Sequence, residues 1–171
     1  MISQSARPDL RIGHGHDIHA LVPGKELWLG GVLIHGAAAG FDTHSDGDVL
    51  SHALVDALAG ALADGDLGTH FPEDDPDAAD ARSVEFVRSF MVDVRAAGYE
   101  VLNVDSFVTL GTTRLRPHVD RMAETVAQAM GLERDRVSVK ARSMDGLGLE
   151  GRGEAASATA TVLLWRRTGP A

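Results

Sequence analysis

The sequence predicts an α+β fold, in which a mixed sheet of four to five strands is covered by helices on one face. Strand-like and helix-like segments interleave in the order ββααβαββ, without the βαβ repeat that builds a parallel sheet. The length of 171 residues suits one domain, 1–171, and a hydrophobic share of 44% suits a globular core. Residues 1–9 are mostly polar, and we expect them to be frayed.

Segments of alternating or β-branched residues predict the strands. Leu10 to Ile18 alternates loosely, and its glycines at 13 and 15 indicate that its backbone lies close to another element. Leu27 to Ile34 predicts a second strand or a hairpin arm, and the small residues 36–43 predict a loop. Later strands are expected at 101–109, 137–141 and 155–166.

Apolar residues at helical spacing predict three helices, which cover 48–62, 83–97 and 117–130. Asp46 or Asp48 can cap the first helix, and Gly131 lies just past the end of the third. The acidic segment 64–80 contains two prolines and predicts a long loop after the first helix. These three helices form the layer that we expect to cover the sheet.

The composition excludes several classes of protein. Cysteine is absent, which excludes disulfides, thiolate nucleophiles and cysteine-type zinc fingers, so any metal site must use His, Asp and Glu. The formal net charge of -9 argues against a nucleic-acid partner, because phosphate binding needs a basic face. No apolar run reaches the ~20 residues that span a bilayer, and no secretory signal is evident, so we expect a cytoplasmic protein without a membrane partner.

One set of residues has the pattern of a metal site. Asp17 and His19 are two apart on an extended segment, so their side chains leave the same face of the strand. With His52 from the first helix they form a set of two imidazoles and one carboxylate, which leaves a fourth position open as in catalytic zinc sites. Asp56, one turn after His52, or another carboxylate can orient a ligating imidazole. The alternative is a chance Asp-X-His pair and an unrelated helical histidine.

Three further clusters have both a functional and a structural interpretation. The run 43–48 at a helix N-terminus offers backbone N–H groups, a serine and a histidine to an anion, or simply caps the helix. The acidic segments 65–68 and 71–76 can hold sugar hydroxyls or form a solvated loop. Residues 140–145 at a strand end offer cations to phosphate and a carboxylate to Mg²⁺, or form a turn with the glycines that follow.

Taken in order, these segments resemble those of the 2-C-methyl-D-erythritol 2,4-cyclodiphosphate synthase family. The resemblance rests on RIGHGHDIHA from Arg11, HSDGDVLSHALVDAL from His44 and GDLGTHFPEDDP from Gly65, followed by NVD, VKA and GRGE. The motifs are in register from about Arg11 to Leu164, which is nearly the whole chain. The first two motifs are highly specific and the last ones less so.

The resemblance implies a homotrimer of α+β subunits with active sites between neighbours. It also implies a step of the non-mevalonate isoprenoid pathway, in which 4-diphosphocytidyl-2-C-methyl-D-erythritol 2-phosphate is converted to 2-C-methyl-D-erythritol 2,4-cyclodiphosphate and CMP. The 2-phosphate attacks the β-phosphorus of the same molecule, so this lyase needs no side-chain nucleophile. One alternative is a noncatalytic trimer of the same family that binds isoprenoid diphosphates. Another is a zinc phosphohydrolase, for which a clear general base is missing.

The resemblance also assigns residues. Zinc falls to Asp17, His19 and His52; Mg²⁺ or Mn²⁺ at the diphosphate falls to Asp145; and transition-state stabilisation falls to His44 and Ser143. The implied substrate-binding residues are Asp17, Ile18, His19, His44 and Ser45; Asp66, Leu67, Gly68, Phe71, Pro72, Glu73, Asp74 and Asp75 around the methylerythritol phosphate; Leu110, Arg114, Leu115 and Arg116, with Lys140, Arg142, Ser143, Met144 and Asp145, around the cytidine and diphosphate; and Leu149 and Arg152 near the trimer axis.

The chain departs from the usual family pattern at the implied nucleotide pocket. Thr113-Arg114 stands where a Pro-Lys pair is usual, and K-A-R-S-M-D at 140–145 stands where K-A-T-T-T-E is usual. Arg114 keeps a cation without the compact geometry of lysine, and Asp145 is one methylene shorter than glutamate. These differences bear on cytidine selectivity and on rate more than on the zinc site.

Overall fold

The computed structural model describes residues 9–43, 45–72 and 81–167. The strands in these ranges are β1 (Leu10–Pro23), β2 (Trp28–Leu29), β3 (Val32–Leu33), β4 (Ala39–Phe41), β5 (Tyr99–Thr109), β6 (Val137–Arg142) and β7 (Ala155–Arg166). The α-helices are α1 (Val49–Leu62), α2 (Leu67–His70), α3 (Ser83–Ala96), α4 (Val119–Met130) and α5 (Gly148–Arg152). None of these helices has the length and apolar character needed to cross a bilayer.

Five of the strands form one mixed sheet in the order β4-β1-β7-β5-β6. Neighbouring strands are antiparallel except for β5 and β6, which run parallel. The predicted α+β class and the mixed sheet of up to five strands are confirmed. Within the described residues, strands β2 and β3 pair only with each other, so the segment 27–34, expected to be a second strand or a hairpin arm, is a short hairpin outside the main sheet.

Long-range pairing accounts for two errors in the predicted strands. β1 continues past the expected end at Ile18, because its last residues pair with β4, for example Leu21 with Phe41. β4 itself lies in the segment 36–43 that was predicted as a loop. Local alternation does not reveal a strand this short, since only its partner in the sheet defines it.

Helix α1 lies directly on the backbone of β1. A β-carbon on Gly13 would lie 1.7 Å from the Ala57 carbonyl oxygen, and one on Gly15 would lie 2.0 Å from that of Ala53. Only glycine permits this approach, which confirms the interpretation of the two glycines. The approach also brings the first turn of α1 beside the second half of β1.

The helices cover one face of the sheet, as predicted. The odd-numbered residues of β1 point towards α1, whereas the even-numbered ones point to the opposite face, on which Ile12 is 73% and Ile18 42% exposed. On that face, Nδ1 of His14 and of His16 lies within hydrogen-bond distance of the Thr161 and Thr159 hydroxyls of β7. No helix or strand within the described ranges covers this open face of β1.

The expectation that residues 1–9 are frayed is wrong for Asp9. Its carboxylate accepts a hydrogen bond from Nε of Arg166 at 2.6 Å and another from the Tyr99 hydroxyl at 3.2 Å. The backbone N–H of Arg166 donates to the Asp9 carbonyl at 2.9 Å. Residues 1–8 lie outside the described ranges.

The start of α1 is held by a fully buried carboxylate, that of Asp48. It accepts hydrogen bonds from the backbone N–H groups of Leu50 and Ser51 and from the Ser51 hydroxyl. It also accepts from the N–H groups of Gly30 and Gly31 in the turn between β2 and β3. Of the two predicted caps it is therefore Asp48 that caps α1, and the same side chain ties the hairpin to the helix.

Candidate metal centre and adjoining loops

Asp17, His19 and His52 come together between β1 and α1, as their spacing predicts. Each offers one donor atom, and the three atoms lie within 4.8 Å of one another. Oδ2 of Asp17 lies 3.0 Å from Nδ1 of His52 and 3.3 Å from Nε2 of His19. The Asp17 and His19 side chains are 22% and 23% exposed, so a cation held here can be reached from solvent.

The donor chemistry of this set fits a divalent metal. Nδ1 of His19 lies 3.0 Å from the Gly47 carbonyl oxygen, and a carbonyl only accepts, so Nδ1 carries hydrogen and Nε2 of the neutral ring is free to ligate. Two imidazole nitrogens and one carboxylate oxygen form a common set for zinc. Burial raises the pKa of the Asp17 carboxyl, but the neighbouring imidazoles of His52 and His19 outweigh it and hold the pKa below its ordinary value.

The second nitrogen of His52 contacts a residue that sequence reasoning missed. Nε2 lies 2.9 Å from the hydroxyl oxygen of Ser83, the first residue of α3, and the Asp46 carboxylate in turn accepts from that hydroxyl. The sequence indicated Ser83 only as a helix start and Asp46 only as a cap of the first helix. No local signal links either residue to His52.

The side chain of Asp56, which is expected to orient an imidazole, bonds to a backbone N–H group within the described residues. Its Oδ1 accepts a hydrogen bond from the Leu67 backbone N–H at 2.8 Å. Burial raises the pKa of the Asp56 carboxyl, and the hydrogen bond from Leu67 opposes the rise. Because Asp56 lies one turn after His52 on α1, it holds the start of α2 beside the metal centre.

The turn before α1 is shaped by a glycine. Gly47 has φ +64°, and a β-carbon there would lie 2.5 Å from the Thr43 hydroxyl oxygen. Ser45 stays within this turn, where its hydroxyl accepts from the Gly47 N–H at 3.2 Å and its carbonyl accepts from Thr43. The turn thereby directs the Gly47 carbonyl towards His19. His44, the expected transition-state stabiliser, lies outside the described residues.

Part of the acidic segment 64–80 is helical, contrary to the prediction of a loop. Asp66 caps α2 by accepting from the Thr69 backbone N–H and hydroxyl, and these bonds hold the pKa of its carboxyl below the ordinary value. Leu67 and Gly68 form the first turn of α2, while Phe71 ends the helix and stacks on Phe86 at 4.5 Å between ring centres. Pro72 is exposed, and Glu73, Asp74 and Asp75 lie outside the described residues.

The two segments assigned to the nucleotide meet at the carboxyl end of the parallel pair β5–β6. The Leu110 N–H donates to the Arg142 carbonyl at 2.9 Å, and the Gly111 N–H donates to the Glu150 carbonyl at 2.9 Å. The Leu110 and Leu115 side chains are buried, so these two residues offer mainly backbone to a ligand. Arg114 and Arg116 are exposed at the same end.

The loop after β6 holds two residues in an uncommon conformation. Met144 has φ 58° and Asp145 has φ 49°, both in the left-handed region, where side chains other than those of Gly, Asn and Asp are disfavoured. Ser143 is exposed, and its hydroxyl donates to Oδ1 of Asp145 at 3.3 Å. The Arg142 guanidinium lies 5.5 Å from the centre of the Phe107 ring.

Two of the assigned cations already have acidic partners. Nζ of Lys140 lies 2.6 Å and 2.7 Å from the two carboxylate oxygens of Asp105, and Nε of Arg152 lies 2.6 Å from Oε1 of Glu154. Leu149, by contrast, exposes 47% of its surface. An anion that binds Lys140 would therefore compete with Asp105 for it.

The metal centre and the segments assigned to the nucleotide lie at the same end of the sheet. They are carried by strands β1 and β6, which are separated by two other strands. Ile18 pairs with Ser157, Ser157 with Thr109, and Thr109 with Arg142. Three strand spacings of about 4.8 Å separate β1 from β6, or about 14 Å in all. The Ile18 side chain points to the open face, whereas its N–H donates to Asp17.

Comparisons with known proteins match the chain over nearly its whole length. The YgbB family matches residues 10–165. The chain is 49% identical over 158 residues to the 2-C-methyl-D-erythritol 2,4-cyclodiphosphate synthase of Moorella thermoacetica, covering 92% of this chain and 96% of that protein.

Two solved structures share the fold. A 2C-methyl-D-erythritol-2,4-cyclodiphosphate synthase in a CDP-bound form has a TM-score of 0.83 and 38% identity, over 90% of this chain and 99% of that one. The bifunctional IspDF from Campylobacter jejuni has a TM-score of 0.88 and 34% identity, and the match covers 94% of this chain but only 43% of that longer one. The chain belongs to the YgbB family.

Proposed function

We propose that this protein converts 4-diphosphocytidyl-2-C-methyl-D-erythritol 2-phosphate to 2-C-methyl-D-erythritol 2,4-cyclodiphosphate and CMP. The observation that carries the proposal is the 49% identity, over 92% of the chain, to a protein named as the synthase of that cyclic product. The convergence of the Asp17, His19 and His52 donor atoms supports it independently of any name. In this proposal the whole chain acts as one domain of the family.

The proposed reaction exchanges one phosphorus–oxygen bond for another. An oxygen of the 2-phosphate forms a bond to the β-phosphorus, and the bond from that phosphorus to the bridging oxygen breaks. The electron pair stays on the bridging oxygen, which leaves as part of CMP. Because attacking and leaving groups belong to one molecule, the task of the protein is to hold them in line and neutralise charge.

Asp17, His19 and His52 would hold zinc, and Asp145 would contribute to a Mg²⁺ or Mn²⁺ site at the diphosphate. Bound metal supplies Lewis-acid stabilisation of charge on phosphoryl oxygens. The described cations Arg114, Arg116, Lys140 and Arg142 suit the neutralisation of the diphosphate and are exposed.

Polar side chains would complete the substrate site. Ser143 offers a hydroxyl to a phosphoryl oxygen, and the Asp66 carboxylate and the backbone of α2 suit contacts to the methylerythritol phosphate. His44 and the residues 73–75 enter the proposal through their sequence motifs alone. The other substrate-binding residues that the family resemblance implies contact the substrate in the same proposal.

A homotrimer with sites between neighbours is part of this proposal. The open face of β1 presents Ile12 and Ile18, and an exposed apolar surface of this kind favours burial against another subunit. The separation of about 14 Å between β1 and β6 leaves room for a neighbour to bring its own loops closer to the metal centre. Light scattering should give a mass three times that of the chain, and a fully active monomer would contradict the shared site.

Phosphorus NMR of the full chain with the cytidine diphosphate substrate, zinc and magnesium tests the reaction. We expect two coupled resonances of a cyclic diphosphate to appear together with CMP. An unchanged spectrum from metal-loaded protein would overturn the proposal and favour a noncatalytic diphosphate-binding trimer. A linear phosphate product would instead indicate hydrolysis by water.

A further inference from the structure

The turn before α1, which contains Asp46 and Gly47, is connected by hydrogen bonds to both histidines of the metal centre. In each histidine the bond involves the ring nitrogen that does not face the other ligand atoms. The Gly47 carbonyl accepts from Nδ1 of His19 at 3.0 Å. The adjacent Asp46 reaches His52 through Ser83, whose hydroxyl oxygen lies 2.9 Å from Nε2 of His52. Ser83 is fully buried and His52 nearly so, and solvent therefore does not compete for these hydrogen bonds.

The direction of each hydrogen bond follows from donor and acceptor counting. A carboxylate accepts hydrogen bonds and does not donate them, and that of Asp46 receives the Ser83 N–H at 3.1 Å on each oxygen, the Asp48 N–H at 3.3 Å and the Ser83 hydroxyl. The hydroxyl has a single hydrogen, which it gives to Asp46. The Ser83 oxygen must therefore accept from His52, so Nε2 of His52 carries hydrogen.

This direction leaves Nδ1 of neutral His52 with a lone pair aimed at Oδ2 of Asp17, 3.0 Å away. The lone pair on Nε2 of His19 faces the same oxygen from 3.3 Å. Three electron-rich atoms that face one another repel unless a cation lies among them. A neutral His52 with hydrogen on Nδ1 would relieve the repulsion by donating to Asp17, and that bond would occupy two of the three ligand atoms.

We propose that Asp46 and Ser83 are positioning residues for metal binding, because they hold hydrogen on Nε2 of His52 and keep Nδ1 available as a ligand. The inference rests on the metal role of the proposed function. Hydrogen bonds from a ligating histidine to groups outside the metal shell fix its tautomer and ring orientation, and their loss typically costs about 10–100-fold in metal affinity.

The test compares two serines in the full-length protein. Ser83→Ala removes the acceptor for His52, whereas Ser51→Ala removes an equally buried hydroxyl whose hydrogen bond goes to Asp48 instead. Zinc affinity is measured by competition with a chromophoric chelator. We expect a loss of about 10–100-fold for Ser83→Ala and unchanged affinity for Ser51→Ala. Ser83→Thr, which keeps the hydroxyl, should restore the affinity.

A spectroscopic readout separates positioning from general loss of structure. Nitrogen-15 NMR of the zinc-loaded wild type should show His52 with hydrogen on Nε2 and metal on Nδ1. The Nε2–H signal should shift in Ser83→Ala and not in Ser51→Ala. Equal zinc affinities of the two alanine variants, or hydrogen on Nδ1 of His52 in the loaded wild type, would overturn the inference.

The experiments distinguish a failure of the proposed function from a failure of the inference about Asp46 and Ser83. If the wild type binds zinc and cyclises the substrate, and Ser83→Ala does so equally well, only the positioning role of Asp46 and Ser83 is overturned. If the wild type binds no zinc, the metal role in the proposed function fails and the inference fails with it. The Nε2–H signal of His52 in the metal-free protein then still reports whether Ser83 accepts from His52.

Discussion

A β-carbon on Gly15 would lie 2.0 Å from the carbonyl oxygen of Ala53, so strand and helix touch backbone to backbone. This contact lies one turn of α1 from the start of the helix and beside the strand residue Asp17. It therefore sets the distance between the two elements that carry the metal ligands.

Gly15→Ala should destabilise the protein and weaken zinc binding together. The added methyl group forces α1 away from β1, and overpacking of this kind costs about 1–3 kcal/mol or more. The free energy of unfolding from urea titrations at fixed protein concentration and the zinc affinity of the variant check both effects.

Gly60→Ala is the matched control on the same helix. A β-carbon there would meet nothing nearer than the His14 carbonyl oxygen at 4.0 Å. Alanine is favoured over glycine in helices by about 1 kcal/mol, so this variant should be as stable as the wild type or more stable. If Gly15→Ala were equally harmless, the close approach would not govern the position of α1.

Zinc should raise the unfolding midpoint of the wild type and have no such effect on His19→Ala. A ligand that binds only the folded state stabilises it by about 2.7 kcal/mol at a concentration of 100 Kd. Removing one of three ligands should abolish that increment, which differential scanning calorimetry with and without zinc measures. His14→Ala is the control, because His14 lies on the same strand but points to the open face. A zinc shift retained in His19→Ala would argue against the ligand set.

Asp105→Asn should lower stability at neutral pH but not in acid. The hydrogen bond from Lys140 holds the pKa of the Asp105 carboxyl below its ordinary value of 3.8. A depressed folded-state pKa stabilises the protein above the ordinary value, and the contribution is lost as the pH falls through the folded-state pKa. The pair is largely exposed, so its contribution is about 0.2–1 kcal/mol. Urea unfolding of both proteins at neutral and acid pH measures the difference, which should shrink in acid.

Asp145→Asn should leave stability unchanged and weaken the binding of magnesium. Asparagine tolerates the left-handed conformation at φ 49° and ψ 37° as well as aspartate does, so only the charge is lost. The Mg²⁺ concentration for half-maximal cyclisation should rise, while the thermal midpoint stays the same. Asp145→Ala should raise the Mg²⁺ concentration in the same way and should also lower the thermal midpoint, since alanine in this conformation costs roughly 1–2 kcal/mol. An unaltered Mg²⁺ dependence in Asp145→Asn would remove Asp145 from the proposed magnesium site.

Much of the fold follows from local pattern. The helices α1, α3 and α4 were predicted from apolar spacing, and their apolar faces are buried in the structure. The metal triad was partly predictable for the same reason, because strand periodicity places Asp17 and His19 on one face. The hydrogen bond from the Leu67 N–H to the Asp56 carboxylate was not predictable, since residues eleven apart have no fixed geometry until the chain folds.

The sequence by itself therefore determined the α+β class, the main strands and helices, and which residue types can ligate a metal. These features depend on periods of two and 3.6 residues and on the chemistry of side chains. Only the tertiary structure decided that β4 is a strand, that 110–116 meets 140–152, and that Asp46 and Ser83 support His52. Each of these depends on a contact between distant segments, and such a contact exists only after the sheet has formed its register and α1 has packed on the glycines of β1.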